Sequence, residues 1–150
     1  MIERYTLPEM GSLWSEEAKF QSWLEVELAA CQANADLGRV PAEAMAQIRE
    51  RAAFSVPRIL DIEAEVRHDV IAFLTNVNEH VGDAGRYIHV GMTSSDVLDT
   101  GLALQLKASV GELEKELALL IAALRQLARE HKDTVMIGRS HAIQIGRAHV

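Results

Sequence analysis

The chain has 150 residues, 49% of them hydrophobic and only 5% aromatic, with a net charge of −7 at pH 7. That length fits one domain, or one domain and part of a second, and the scarcity of rings predicts an aliphatic, all-α core. The negative balance argues against a nucleic-acid partner, which needs a basic face; a small anion in a local basic pocket remains compatible with it.

Residues 1–14 carry Arg4-Tyr5 and Pro8 without a clear period, so they read as an arm whose Arg and Tyr could meet an anion and a planar ring. Ser15-Glu16-Glu17 has the form of a helix cap followed by first-turn acids. Phe20, Trp23, Leu24, Glu27, Leu28 and Cys31 then recur at helical spacing, and Gly38 is a stop signal. Cys31, the single cysteine, cannot form an internal disulfide and fits a reducing cytoplasm. Its place in that pattern makes it buried filler rather than a nucleophile. Pro41 can open the next helix, with Ala44, Ile48 and Ala52 on its apolar side.

Pro57 is expected to start a third helix that runs unbroken through Ile59, Ile62, Val66, Val70, Phe73 and Val77. At about 100° per residue these cluster within roughly 60° of one another. His68 then falls on the opposite face, with Arg67 and Asp69 flanking the stripe. Gly82, Gly85 and Gly91 punctuate residues 78–92, where the domain boundary is expected.

Gly91-Met92-Thr93-Ser94-Ser95-Asp96 opens the longest periodic run, expected from about Ser94 to His131. Leu106, Val110, Leu113, Leu117, Leu120, Leu124 and Leu127 alternate steps of four and three, as a bundle seam requires. Three adjacent hydroxyls exceed what one helix cap needs. Capping and the binding of an anion at the helix start both remain open. Thr134 to His141 reads as a short connector ending in polar groups. No segment has the form of a secretory leader or a membrane span, so a cytoplasmic protein without a membrane partner is expected.

The six histidines form no HxxxH or HExxH pair, and Cys31 has no CxxC partner, so no metal site is expected. No G-x-S-x-G elbow or phosphate-binding glycine loop is present. Three polar clusters remain: Arg67-His68-Asp69, Thr93-Ser94-Ser95 and Ser140-His141. Histidine suits proton transfer near neutral pH, and Arg and hydroxyls suit an anion. By themselves these residues specify a helical domain that could bind a small anion, with acid–base catalysis as one possibility.

Four motifs stand in order: Arg4-Tyr5; Arg67-His68-Asp69-Val70; His89-Val90-Gly91-Met92-Thr93-Ser94-Ser95-Asp96-Val97-Leu98-Asp99-Thr100; and Thr134-Val135-Met136-Ile137-Gly138-Arg139-Ser140-His141. Over residues 1–143 the chain resembles the N-terminal part of the bacterial adenylosuccinate lyases, members of the fumarase/aspartase superfamily. The resemblance implies residues 1–92 as an N-terminal helical domain and 93–143 as the start of a central helical bundle. It implies elimination of fumarate from adenylosuccinate to give AMP, and from SAICAR to give AICAR, with no metal or organic cofactor. His141 matches the proton-donating catalytic histidine and His68 a second histidine near the substrate. Arg4, Tyr5, Arg67, His68, Asp69, Thr93 and Ser94 match substrate-binding positions. A cytoplasmic homotetramer of purine biosynthesis is implied, its active sites shared between subunits. Residues 144–150 depart from the family's pattern and read as a non-native tail, and the family's catalytic serine loop would lie beyond this chain. The 150 residues alone are therefore expected to be inactive. Rival expectations are another lyase or cycloisomerase of the same superfamily, or a helical oligomerisation module without catalysis.

Overall fold

A computed structural model of the chain describes residues 2–135, 137–140 and 143–147. Two compact units form, Met1–Ser109 and Val110–Val150. The fold is all-α apart from one short strand pair at its C-terminal end.

In the first unit, a 3-10 turn at Glu3–Tyr5 precedes α1 (Pro8–Leu13), α2 (Glu16–Asp36), α3 (Ala42–Arg51), α4 (Val56–Val66) and α5 (Asp69–Val81). A second 3-10 turn, Gly82–Tyr87, leads to α6 (Ser94–Glu130), whose first four turns belong to this unit. Local signals explain most boundaries. The Ser15 hydroxyl accepts from the Ala18 N–H at 3.1 Å and so caps α2. Gly38 takes up the left-handed φ of 72° just past its end. Pro41 is the residue before α3 rather than its first turn.

The core is not purely aliphatic, as composition implied. All three phenylalanines and one tryptophan of the chain gather in one cluster. Phe20 stacks on Phe73, and Trp23 stands edge-on to both. Phe54, in the α3–α4 connection, packs against the two phenylalanines. Few rings suffice because they are concentrated where α2 meets α5. Ile48, Ile59, Ile62, Val70, Val77 and Val97 surround them.

Two departures from periodicity are structural. The expected single helix from Pro57 to Val77 is two helices, broken at Arg67 and His68. Arg67 adopts a left-handed φ of 57°, and His68 is extended and caps α5. Ile59, Ile62, Val70, Phe73 and Val77 are still buried, while Val66 beside the break is exposed. Asn76 and Arg58 hold the corner. The Asn76 carbonyl accepts from the Ser55 N–H, its amide donates to Glu79, and Arg58 of α4 donates two nitrogens to Glu79 of α5.

The second departure concerns α6. Its buried face in the first unit is Val97, Gly101 and Ser109, with Gln105 on the same row donating to the Leu13 carbonyl at 2.8 Å. Hydrophobic periodicity selects the leucine seam instead, yet Leu106 on that seam is exposed. Gly101 lacks a side chain on this row because close approach to α2 leaves no room. A Cβ on Gly101 would lie 2.8 Å from Trp23 Cδ1 and 3.0 Å from Ser22 Oγ.

The second unit holds the rest of α6 and the strands β1 (Ile137–Ser140) and β2 (Ile143–Arg147). The strands pair antiparallel, with an irregularity after Gly138, so Ile137–Ser140 of the expected connector are extended and paired. Val110, Leu113, Leu117, Leu120, Leu124 and Leu127 are each at least half exposed. No described helix is long and apolar enough to cross a membrane.

Two measurements test this packing. Gly101→Ala should destabilise the chain by about 1–3 kcal/mol in denaturant titration through overpacking. Gly111→Ala, with nothing within 4 Å of its Cβ position, should instead stabilise α6 by about 1 kcal/mol. The Arg58 guanidinium and the Asn76 amide hold the Glu79 carboxyl down at about 2 from an ordinary 4.5. Its contribution is therefore full above pH 4.5 and is lost as pH falls toward 2. Acid titration of Glu79→Gln should show a flatter loss of stability across that window, and salt should shrink the difference.

Candidate active site

The polar clusters singled out by sequence lie at helix ends, where backbone groups are unpaired. In the first 3-10 turn, the Arg4 guanidinium sits 4.8 Å from the Tyr5 ring centroid and donates to the Tyr5 hydroxyl at 3.1 Å. Both residues are exposed. An exposed cation resting on a ring forms a flat, positive surface suited to an anion or a planar group.

The corner between α4 and α5 carries the second cluster. Arg67 ends α4, with its N–H donating to the Glu63 carbonyl, and its side chain is exposed. The Ile71 N–H donates to His68 Nδ1 at 3.4 Å, which makes that nitrogen an acceptor and leaves the ring proton on Nε2. Asp69 Oδ1 lies 3.5 Å from the same Nδ1 but accepts the Val70 N–H at 2.7 Å. His68 is thus not on the far face of a continuous helix, as the period implied. It projects from a break, 42% exposed, with Nε2 engaged by no described residue.

The third cluster opens α6. The Thr93 N–H donates to the Asp96 carboxylate at 2.7 Å, the backbone half of a capping box. Among the described residues no protein group is hydrogen-bonded to the side-chain hydroxyls of Thr93, Ser94 or Ser95. The acid, not a hydroxyl, supplies the cap contact. Three hydroxyl groups therefore remain available beside the free amides of a helix start.

No hydrogen bond or ion pair joins these three clusters to one another among the described residues. His141, the fourth expected position, lies outside the described residues. A groove of about 410 Å³ lies between α2 and the start of α6, lined by Trp14, Lys19, Trp23, Asp99, Leu102 and Gln105 among others; none of the expected site residues lines it. No group of three His, Cys, Asp or Glu among the described residues is placed to hold a metal.

Sequence reasoning missed one pair. Glu27 of α2 is 1% exposed, and its Oε1 lies 2.5 Å from Nδ1 of His89. Its other oxygen, Oε2, is buried with no hydrogen-bond partner among the described residues. Burial pushes the Glu27 carboxyl above its ordinary range, with His89 pulling it back. The one available signal was an acid in the apolar stripe of α2, with nothing to show what faced it. Cys31 is buried near this pair, its thiol raised by desolvation and by the charge of Glu27.

A family model described as "Lyase" matches residues 3–144. The chain is similar to the adenylosuccinate lyase of Synechocystis sp., at 62% identity over 143 residues, covering 95% of this chain and 33% of the relative. It is 47% identical to that of Bacillus subtilis, with the same coverage. The chain spans about a third of the length of the curated relatives it matches. Among solved structures, a 3-carboxy-cis,cis-muconate lactonizing enzyme from Pseudomonas putida superposes with a TM-score of 0.85 at 31% identity, covering 93% of this chain and 34% of that one. A fumarate lyase from Mesorhizobium sp. BNC1 superposes at 0.83, also at 31% identity, covering 90% and 33%. From motif order, helical architecture and these matches together, the chain belongs to the lyase family.

Proposed function

We propose that this chain supplies the N-terminal third of an adenylosuccinate lyase, an enzyme that eliminates fumarate from adenylosuccinate to give AMP and from SAICAR to give AICAR. The observation that carries the reading is the high identity, across nearly all of the chain, to relatives bearing that name. The solved lyase and lactonizing enzyme share the fold at 31% identity, against 62% and 47% for those relatives.

Elimination has simple requirements. A base takes a proton from carbon, the carbon–nitrogen bond breaks as the double bond of fumarate forms, and an acid protonates the departing nitrogen. His141 is the proposed acid, and His68, with Nε2 free, the second histidine at the substrate. Arg4, Tyr5, Arg67, Asp69, Thr93 and Ser94 are the proposed binding groups. The Arg4–Tyr5 platform and the unused hydroxyls support that role, because a nucleotide presents a phosphate and a planar base while succinyl carboxylates need donors. No metal or organic cofactor enters the scheme. Residues 1–92 would form the N-terminal domain, 93–143 the start of the central bundle and 144–150 a non-native tail. The enzyme is placed in cytoplasmic purine biosynthesis as a homotetramer, and the exposed leucine seam of α6 supports packing against further bundle helices.

Two experiments test the proposal. The complete gene product should convert adenylosuccinate to AMP and fumarate, and His141→Ala should lower kcat by about 10²–10⁴-fold. Turnover of 3-carboxy-cis,cis-muconate in place of adenylosuccinate would reverse the assignment. Sedimentation of the 150-residue chain should show self-association that Leu113→Asp with Leu120→Asp abolishes; a wild-type monomer would remove the seam from the assembly.

A further inference from the structure

The Glu27–His89 pair has no explanation in stability. A buried carboxylate with one oxygen unpartnered costs free energy that an apolar residue on the α2 stripe would not. His89 adds a second cost, since it holds a left-handed φ of 65° outside any helix. Backbone strain and an imperfectly satisfied buried acid at one contact are features that cluster where geometry serves a reaction. The contact joins α2 to the segment that leads into α6, 62 residues apart in sequence. Four residues beyond His89 stands Thr93, the first of the hydroxyls at the α6 start.

We propose that Glu27 is a positioning residue, which engages Nδ1 of His89 and so fixes that ring with Nε2 directed to substrate. What the ring acts on rests on the function proposed above; how it is held rests on the contact alone. His89 is 22% exposed and Glu27 nearly fully buried, so the ring edge bearing Nδ1 faces inward and the opposite edge is the accessible one. When the pair is electrically neutral overall, one proton lies between Oε1 and Nδ1. Whether it sits on oxygen or nitrogen, Nε2 then carries a proton and donates outward. Loss of that outer proton leaves the carboxylate bonded to Nδ1–H and turns Nε2 into an acceptor, without any movement of the ring. The unpartnered Oε2 keeps the carboxylate from being fully stabilised by its surroundings, so His89 is its main partner. A free histidine in a loop would share its proton between both nitrogens and rotate; this one is held.

The experiment has a spectroscopic arm and a kinetic arm. In the ¹⁵N-histidine-labelled 150-residue chain, His89 should show a deshielded, exchange-protected ring proton at Nδ1, and Glu27→Gln should abolish it. In the complete gene product, Glu27→Gln should lower kcat/KM for adenylosuccinate by about tenfold or more, a magnitude usual for groups that orient a reacting side chain. Glu27→Asp, which keeps the carboxylate, should restore part of both signals. Circular dichroism checks that each variant stays helical; should Glu27→Gln unfold, Glu27→Asp against wild type carries the comparison, with a weakened protected proton expected. An unchanged His89 signal in a folded variant, or unchanged kcat/KM, would overturn the positioning role. Wild-type enzyme that fails to cleave adenylosuccinate, with the protected proton present and lost in Glu27→Gln, would instead sink the proposed function while leaving the held ring in place.

Discussion

The contact on which the first unit depends is the stack of Phe20 on Phe73, closed at one end by Trp23. It brings α2 and α5 together at the centre of a core that is otherwise aliphatic. Each of the two phenylalanines is nearly fully buried, and truncation of such a ring costs about 3–5 kcal/mol in well-packed cores. The cluster reaches beyond its own helices. Phe54 carries the α3–α4 connection into it, and the far edge of Trp23 faces Gly101 on α6. The start of α6, with its hydroxyls, is therefore placed by an aromatic residue on another helix.

Around that core, the polar residues of interest are carried by interruptions rather than by helix faces. The corner at Arg67 and His68 costs a left-handed residue and a lost helical turn. It is held because Asn76, Ser55, Arg58 and Glu79 form a clamp across α4 and α5. The same break frees Nε2 of His68, since its Nδ1 is used as the cap of α5. At α6, Asp96 accepts the Thr93 N–H, and the hydroxyls of Thr93, Ser94 and Ser95 have no hydrogen-bond partner among the described residues. In both places the backbone is satisfied by one group so that its neighbours stay unengaged.

Glu27 and His89 follow a related logic from inside the core. An acid is carried on an apolar stripe, and the loop residue that answers it arrives from 62 positions downstream. The α6 helix adds a contrast between its two parts. Its first four turns bury Val97, Gly101 and Ser109, with Gly101 against α2, and the leucine seam beyond is exposed.

Much of this was legible from residue order. Caps, glycine stops and period located α2, α3 and α6 to within a residue or two at most ends, because those signals act through neighbours in the chain; α1 fell in the stretch read as an arm without a period. The stripe from Ile59 to Val77 was read correctly as buried but wrongly as one helix. A two-residue break can preserve which positions face the core while reversing the direction of the chain, and periodicity sees only the former. Composition likewise counted rings without showing that four of the seven meet. The packed row of α6 was hidden since Gly101, Gln105 and Ser109 carry no hydrophobic signal; the nearness of Trp23 explains Gly101, and the Leu13 carbonyl explains Gln105. The sequence by itself determined the helical class, the motif order that marks the lyase family and the start of α6 that bears its hydroxyls, since all are local in the chain. Tertiary structure alone decided the corner at Arg67, the inner face of α6 and the meeting of Glu27 with His89, since each depends on which distant residue fills the space opposite.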